Sequence, residues 1–237
     1  MLVAAAVSPC PPLLVPAVAQ GAAPELDALR AACTDALGVL AAARPDRLVV
    51  VGPAEESGGG RYPEGTRGSF RGFGVDLDVR LGRDTGTTSG RELPPSLAVA
   101  AWLLERTGWS DAPVEGLGVD ERLAPGHCLA AGRDIAAAAG RVALLVMGDG
   151  SACRSLKAPG YLDERAGPFD AEVARALDTA DGAALTALDA DLAYELKASG
   201  RAPWQVLAGA AEPTGLTGTL LHTEAPYGVG YFAATWS

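Results

Sequence analysis

Histidine is scarce in this sequence: His127 and His222 are the only two in 237 residues, which sharply limits both acid–base and metal chemistry. The four cysteines, Cys10, Cys33, Cys128 and Cys153, form no C-x-x-C pair and no zinc-ribbon spacing, so reduced thiols are expected. Positive charge is also short. Nineteen Lys and Arg face 29 Asp and Glu, giving a formal net charge of −10. That balance argues against a broad nucleic-acid surface and against an anionic membrane, while leaving room for a local cationic pocket. No apolar run approaches the ~18 residues of a membrane span. The segment Met1–Val7 lacks the positively charged start of an export signal and runs into prolines. A cytoplasmic protein is expected.

What is present suits a folded domain. Hydrophobic residues make up 49% and charged residues 20%, a globular composition, and no linker or repeat divides 1–237. The densest feature is Val142–Met147, an apolar run of the kind buried on both faces of a sheet. It stops at Gly148-Asp149-Gly150-Ser151, whose glycines let backbone come close to whatever lies at the sheet edge. In open α/β sheets, ligands bind beyond the carboxyl ends of the strands, which singles out Asp149, Ser151, Cys153 and Arg154. A tight strand exit with solvated polar residues is the equal alternative.

Further strands are expected at Leu2–Val7, ended by Ser8-Pro-Cys-Pro-Pro12, and at Leu48–Val51, ended by Gly52-Pro-Ala-Glu-Glu56. Between them Pro24–Ala43 predicts a helix with a Leu26, Leu29, Cys33, Leu37, Leu40 stripe, completing a β-α-β unit. Ser57–Gly74 is rich in Gly, Arg and Ser and reads as a lid or mobile loop anchored by Tyr62 and Phe70. Val75–Leu81 alternates as a half-exposed strand, and Gly82–Gly90 reads as polar turns. Helices are expected at Pro95–Thr107, from Gly126 to about Ala139, at Pro168–Asp178, at Ala183–Ala198 and from Gly200 to about Ala211. A short strand at Val114–Val119 and an antiparallel pair, Leu216–Leu221 and Gly228–Thr235, complete a mixed α/β domain.

His127 opens a predicted helix, where the dipole favours neutral imidazole able to accept a proton or bind a metal; a capping or core histidine is the plainer alternative. Ser151 does not sit in a G-x-S-x-G elbow, and the Gly148–Gly150 turn lacks the Gly-Lys-Ser/Thr end of a P-loop. Arg154 and Lys157 could hold a carboxylate or phosphate. Trp109, Trp204 and Trp236 read as core or rim packing.

The Ser8–Pro12 loop, Gly52–Glu56, Pro125-Gly-His127, Gly148–Leu156 and Pro203–Ala211 together resemble the class III extradiol ring-cleavage dioxygenases. That superfamily includes protocatechuate 4,5-dioxygenase β-subunits, DOPA dioxygenases and the Memo-like fold. The resemblance runs over nearly the whole chain. It implies a mixed central sheet flanked by helices, of the subunit-B type, and a homodimer.

It also implies an Fe(II) site of two histidines and a glutamate with a further acid–base histidine, yet this sequence departs at almost every position. The histidine positions fall at Cys10 and Glu55, the glutamate near Ser199 and the acid–base histidine at Arg154, with His127 kept in the pocket. Arginine stays protonated and cannot serve as a base near neutral pH. The resemblance therefore implies a domain without ordinary ring cleavage, binding a small anionic or aromatic ligand in the old cleft. His127 and Arg154 would be the catalytic pair, and Asp149, Ser151, Arg154 and Tyr227 the ligand contacts. Two alternatives stay open: Fe(II) or Zn(II) held by Cys10, Glu55 and His127, or a Memo-like interaction module.

Overall fold

The apolar runs form the middle of a sheet. The computed structural model describes residues 1–86, 90–212 and 214–237. In chain order the strands are β1 Leu2–Ser8, β2 Arg47–Ala54, β3 Gly60–Tyr62, β4 Arg67–Ser69, β5 Asp78–Arg80, β6 Val114–Asp120, β7 Val142–Met147, β8 Gly218–Glu224 and β9 Tyr231–Trp236. The helices are α1 Pro16–Ala19, α2 Asp27–Ala42, α3 Pro95–Thr107, α4 Pro125–Ala137, α5 Ala166–Asp178, α6 Gly182–Thr186, α7 Ala190–Glu195 and α8 Arg201–Ala211. Seven strands make one sheet in the order β3-β6-β2-β7-β1-β9-β8, and β4 and β5 pair separately. β6, β2, β7 and β1 run parallel; β3, β9 and β8 add antiparallel. This is the mixed α/β architecture expected of the sequence.

Every residue of β7 is buried, because helices cover both faces of the sheet. Val142, Leu144 and Val146 join a core with residues of α4, α5 and α8, while Ala143, Leu145 and Met147 join one with residues of α2 and α3. Each fully buried Leu or Val side chain contributes roughly 1.5–3 kcal/mol to that packing. The helix stripe Leu26, Leu29, Cys33, Leu37 and Leu40 is buried, and Trp204 and Trp236 are core residues. Among the described residues no helix is long and apolar enough to cross a membrane.

Several expectations need correction. Ser57–Gly74 is not a lid: β3 extends the sheet edge on β6, and β4 pairs with β5. The anchors Tyr62 and Phe70 are buried, which supplies the apolar contact that holds a Gly-rich segment in place. Of the strand expected over Val75–Leu81, only Asp78–Arg80 pairs. The polar turns expected over Gly82–Gly90 fall partly on 87–89, outside the described residues. The helix expected over Ala183–Ala198 is two short ones, because the Asp189 carboxylate accepts the backbone N–H groups of Asp191 and Leu192 and starts α7 afresh. The helix expected from Pro24 begins at Asp27, after a run of 3-10 turns over Gln20–Leu26.

Candidate functional site

Four parallel strands deliver their carboxyl ends to one edge, and α8 begins at the same place. Gly148 and Gly200 let the two segments meet backbone to backbone: a Cβ on Gly148 would lie 2.3 Å from Gly200 Cα. Asp149 joins three segments there. Its Oδ1 accepts the Cys10 N–H at 2.8 Å, its N–H donates to Ser199 Oγ at 3.1 Å, and its carbonyl accepts the Gly200 N–H at 2.9 Å. The prolines around Cys10 hold that loop rigid.

Burial raises the Asp149 carboxyl to about 7; the nearby Glu121 carboxylate adds to the rise, and the Cys10 N–H bond opposes it. A carboxyl titrating there can hold or release a proton at neutral pH. Burial also pushes the Cys10 thiol well above its ordinary value, helped by Asp149 and Glu121 and opposed by the Ser199 hydroxyl. Partial burial, Asp120 and Glu55 raise Glu121, with Arg201 and Lys197 opposing. Glu121, and Tyr231 through its electrostatic influence from Asp149 and Cys10, thus join a site that the sequence marked by Cys10, Asp149 and Ser199. Glu121 follows β6 directly, so the strand-end rule that found Asp149 would have found it as well.

Arg201 supports this edge from beneath. Its buried guanidinium donates to the Leu123 carbonyl at 2.6 Å, to that of Glu121, and to Gln205 Oε1 at 3.1 Å. Gln205 in turn donates to the carbonyls of Thr186 and Leu188, both at 3.2 Å. One buried pair of side chains therefore fixes the Glu121 loop against α8.

The other sequence candidates lie elsewhere or are already engaged. Ser151 is fully buried; its N–H and hydroxyl both donate to Asp170 at 2.8 Å, so it faces α5 instead of a ligand. Arg154 donates through Nη1 to the same carboxylate at 2.9 Å, which engages the cation proposed for an anionic ligand. His127 is exposed in the first turn of α4, while Arg154 is bound to Asp170 of α5. Tyr227 stands at the rim, its hydroxyl donating to Glu25 Oε2 at 2.9 Å. Glu55 is exposed at the start of a 3-10 turn.

The donor set for Fe(II) or Zn(II) does not assemble. Among the described residues no three His, Cys, Asp or Glu side chains come together as a group able to hold a metal ion. Cys10 is kept in its thiol form and faces Ser199, while Glu55 and His127 point into solvent at separate strand ends. These residues do not fit the metal.

No family model and no curated protein sequence matches this chain. Among solved structures, the uncharacterized protein JW3007 of Escherichia coli K12 is similar, with a TM-score of 0.53 at 15% identity. The match covers 99% of this chain and 100% of that one. At that identity the likeness shows a shared fold.

Proposed function

We propose that this protein is a divergent relative of the class III extradiol dioxygenases that binds a small molecule at the carboxyl edge of its sheet without ordinary ring cleavage. The observation that carries the reading is Asp149, which joins the Cys10, Gly148 and Ser199 segments through one residue. Around it stand Glu121 and Tyr231, so donors, acceptors and a proton-exchanging carboxyl converge where such folds place their ligands. Asp149 is the group suited to take up or give a proton; Ser199 and Tyr231 offer hydroxyls to orient what binds. The arrangement favours a polar or aromatic ligand over an anionic one, because Arg154 is held by Asp170.

A ligand-observed NMR screen of small aromatic acids, amines and alcohols tests this. Hits should vanish with Asp149→Asn or Ser199→Ala and persist with His127→Ala. Hits indifferent to both edge substitutions, or catechol cleavage after Fe(II) loading, would overturn the proposal.

A further inference from the structure

Apolar exposure on this molecule is concentrated in one place. Among the described residues seven large apolar or aromatic side chains are exposed, and four of them are Leu156, Tyr161, Leu162 and Tyr194. The first three lie on the 151–164 loop and the fourth on α7, against whose end that loop packs. Leu156 and Tyr161 are 62% and 63% exposed. The loop itself is fixed: Ala152 N–H donates to the Leu196 carbonyl at 2.8 Å, Gly160 N–H to the Ala152 carbonyl at 2.8 Å and Asp163 N–H to the Cys153 carbonyl at 3.0 Å. Its apolar side chains are therefore carried by backbone that is already ordered, which lowers the entropy cost of binding. Exposed apolar clusters with a polar rim mark interaction sites.

Two residues of this face sit in backbone that a side chain disfavours. Tyr161 has a φ of 64° and Lys197 a φ of 55°, in the left-handed region that glycine enters freely. Lys197 follows α7 where a glycine commonly ends a helix, and its N–H reaches the Tyr194 carbonyl at 3.1 Å. Burial offsets neither strain, because both side chains are exposed. A side chain kept under strain without contributing to the core has its use outside the fold.

The charge of the face decides what covers it. Lys157 and Lys197 are the only lysines in the sequence; both are exposed, and neither makes a hydrogen bond or ion pair among the described residues. Lys157 follows Leu156 directly, and a Cβ on Gly160 would lie 3.1 Å from Lys197 Cδ, so both belong to this loop's surroundings. Arg122 adds a third cation, its guanidinium 3.9 Å from the centre of the Tyr194 ring. Asp163 and Glu195 are paired with Arg165, which leaves Glu164 as the loop's unpaired acid. Unpaired cations around an apolar centre complement an acidic partner, even on a chain of net charge −10. A second copy related by a two-fold axis here would set the same cations against each other.

We infer that this face docks an acidic polypeptide segment, its apolar side chains on Leu156, Tyr161 and Leu162 and its carboxylates on Lys157 and Lys197. The inference does not depend on the ligand reading above.

The probe is a fluorescein-labelled synthetic peptide in which Asp and Glu alternate with Leu and Trp, titrated with the full chain by fluorescence anisotropy. It should bind at least roughly tenfold tighter than two controls, one with Lys replacing its acids and one with Ser replacing its apolar residues. Raised salt should weaken it several-fold, and Lys157→Glu about tenfold. Tyr161→Gly removes the ring and relieves the backbone, so affinity should fall several-fold while the melting temperature holds or rises. Controls that bind equally well, or affinity unmoved by both substitutions, would overturn the proposal. So would a dimer in sedimentation that Tyr161→Gly dissolves, with no peptide bound, since the face would then belong to a second copy. Absence of peptide binding at millimolar concentration would overturn it as well.

Discussion

Asp149 sits at a cost to the fold, and the direction of that cost can be measured. Its carboxyl moves from 3.8 to about 7 on folding. Between those values the folded chain keeps a proton that the unfolded chain releases, so stability falls as pH rises through the window and levels off above it. Asp149→Asn removes the charge and keeps an oxygen for the Cys10 N–H. We expect the variant to be more stable than the parent by about 1–3 kcal/mol at pH 8, with the gain fading toward pH 4, in urea melts at both pH values. Such a gain on removing a group is what a site residue shows and a structural one does not. Cys10 gives a companion test. With its thiol held well above the ordinary value by burial and then by Asp149 and Glu121, it should alkylate at pH 8 at least roughly tenfold more slowly than a free cysteine, and faster in Asp149→Asn. At this scale the sequence was half legible. Cys10 and Asp149 follow buried strands and could be placed by that rule alone. Ser151 and Arg154 could not, because their partner Asp170 lies 16–19 residues away on α5. Tyr231 needs the register of an antiparallel strand more than two hundred residues from β1.

Asp170 shows how an element is pinned to the sheet. It takes the Ser151 N–H, the Ser151 hydroxyl and the Arg154 guanidinium, and a Cβ on either Gly150 or Gly230 would lie within 3 Å of its carboxylate. Asp170→Ala strands those donors inside the protein, and we expect a loss of about 3–5 kcal/mol, read from the midpoint of denaturant unfolding. Arg154→Ala should cost less, since Arg154 is 38% exposed and Asp170 keeps two other bonds. Gly148→Ala drives a methyl into Gly200 backbone, and about 3 kcal/mol should go with it. Element by element, the buried strands and the α3 and α8 helices were legible because long apolar runs and stripes leave one reading. The three-residue strands β3 and β4 were not, since their pairing is set by partners and not by local pattern, whereas β5 lies within the alternating Val75–Leu81 segment. The break at Asp189 was visible in principle as a cap, but helical periodicity on both sides concealed it.

At the scale of the molecule, the parallel strands β6, β2, β7 and β1 do one thing for function: they bring residues 10, 55, 121 and 149 to a common edge although 139 positions separate the first from the last. That edge presents a thiol, carboxylates and hydroxyls and no imidazole from these four positions, which is why we read it as a ligand site free of iron. The most direct test is the metal content of the full chain after anaerobic Fe(II) loading and desalting, compared with Cys10→Ala and Glu55→Ala. The account predicts well under one iron per chain in all three, with no difference among them. One tightly held iron per chain in the parent, lost in either variant, would contradict it.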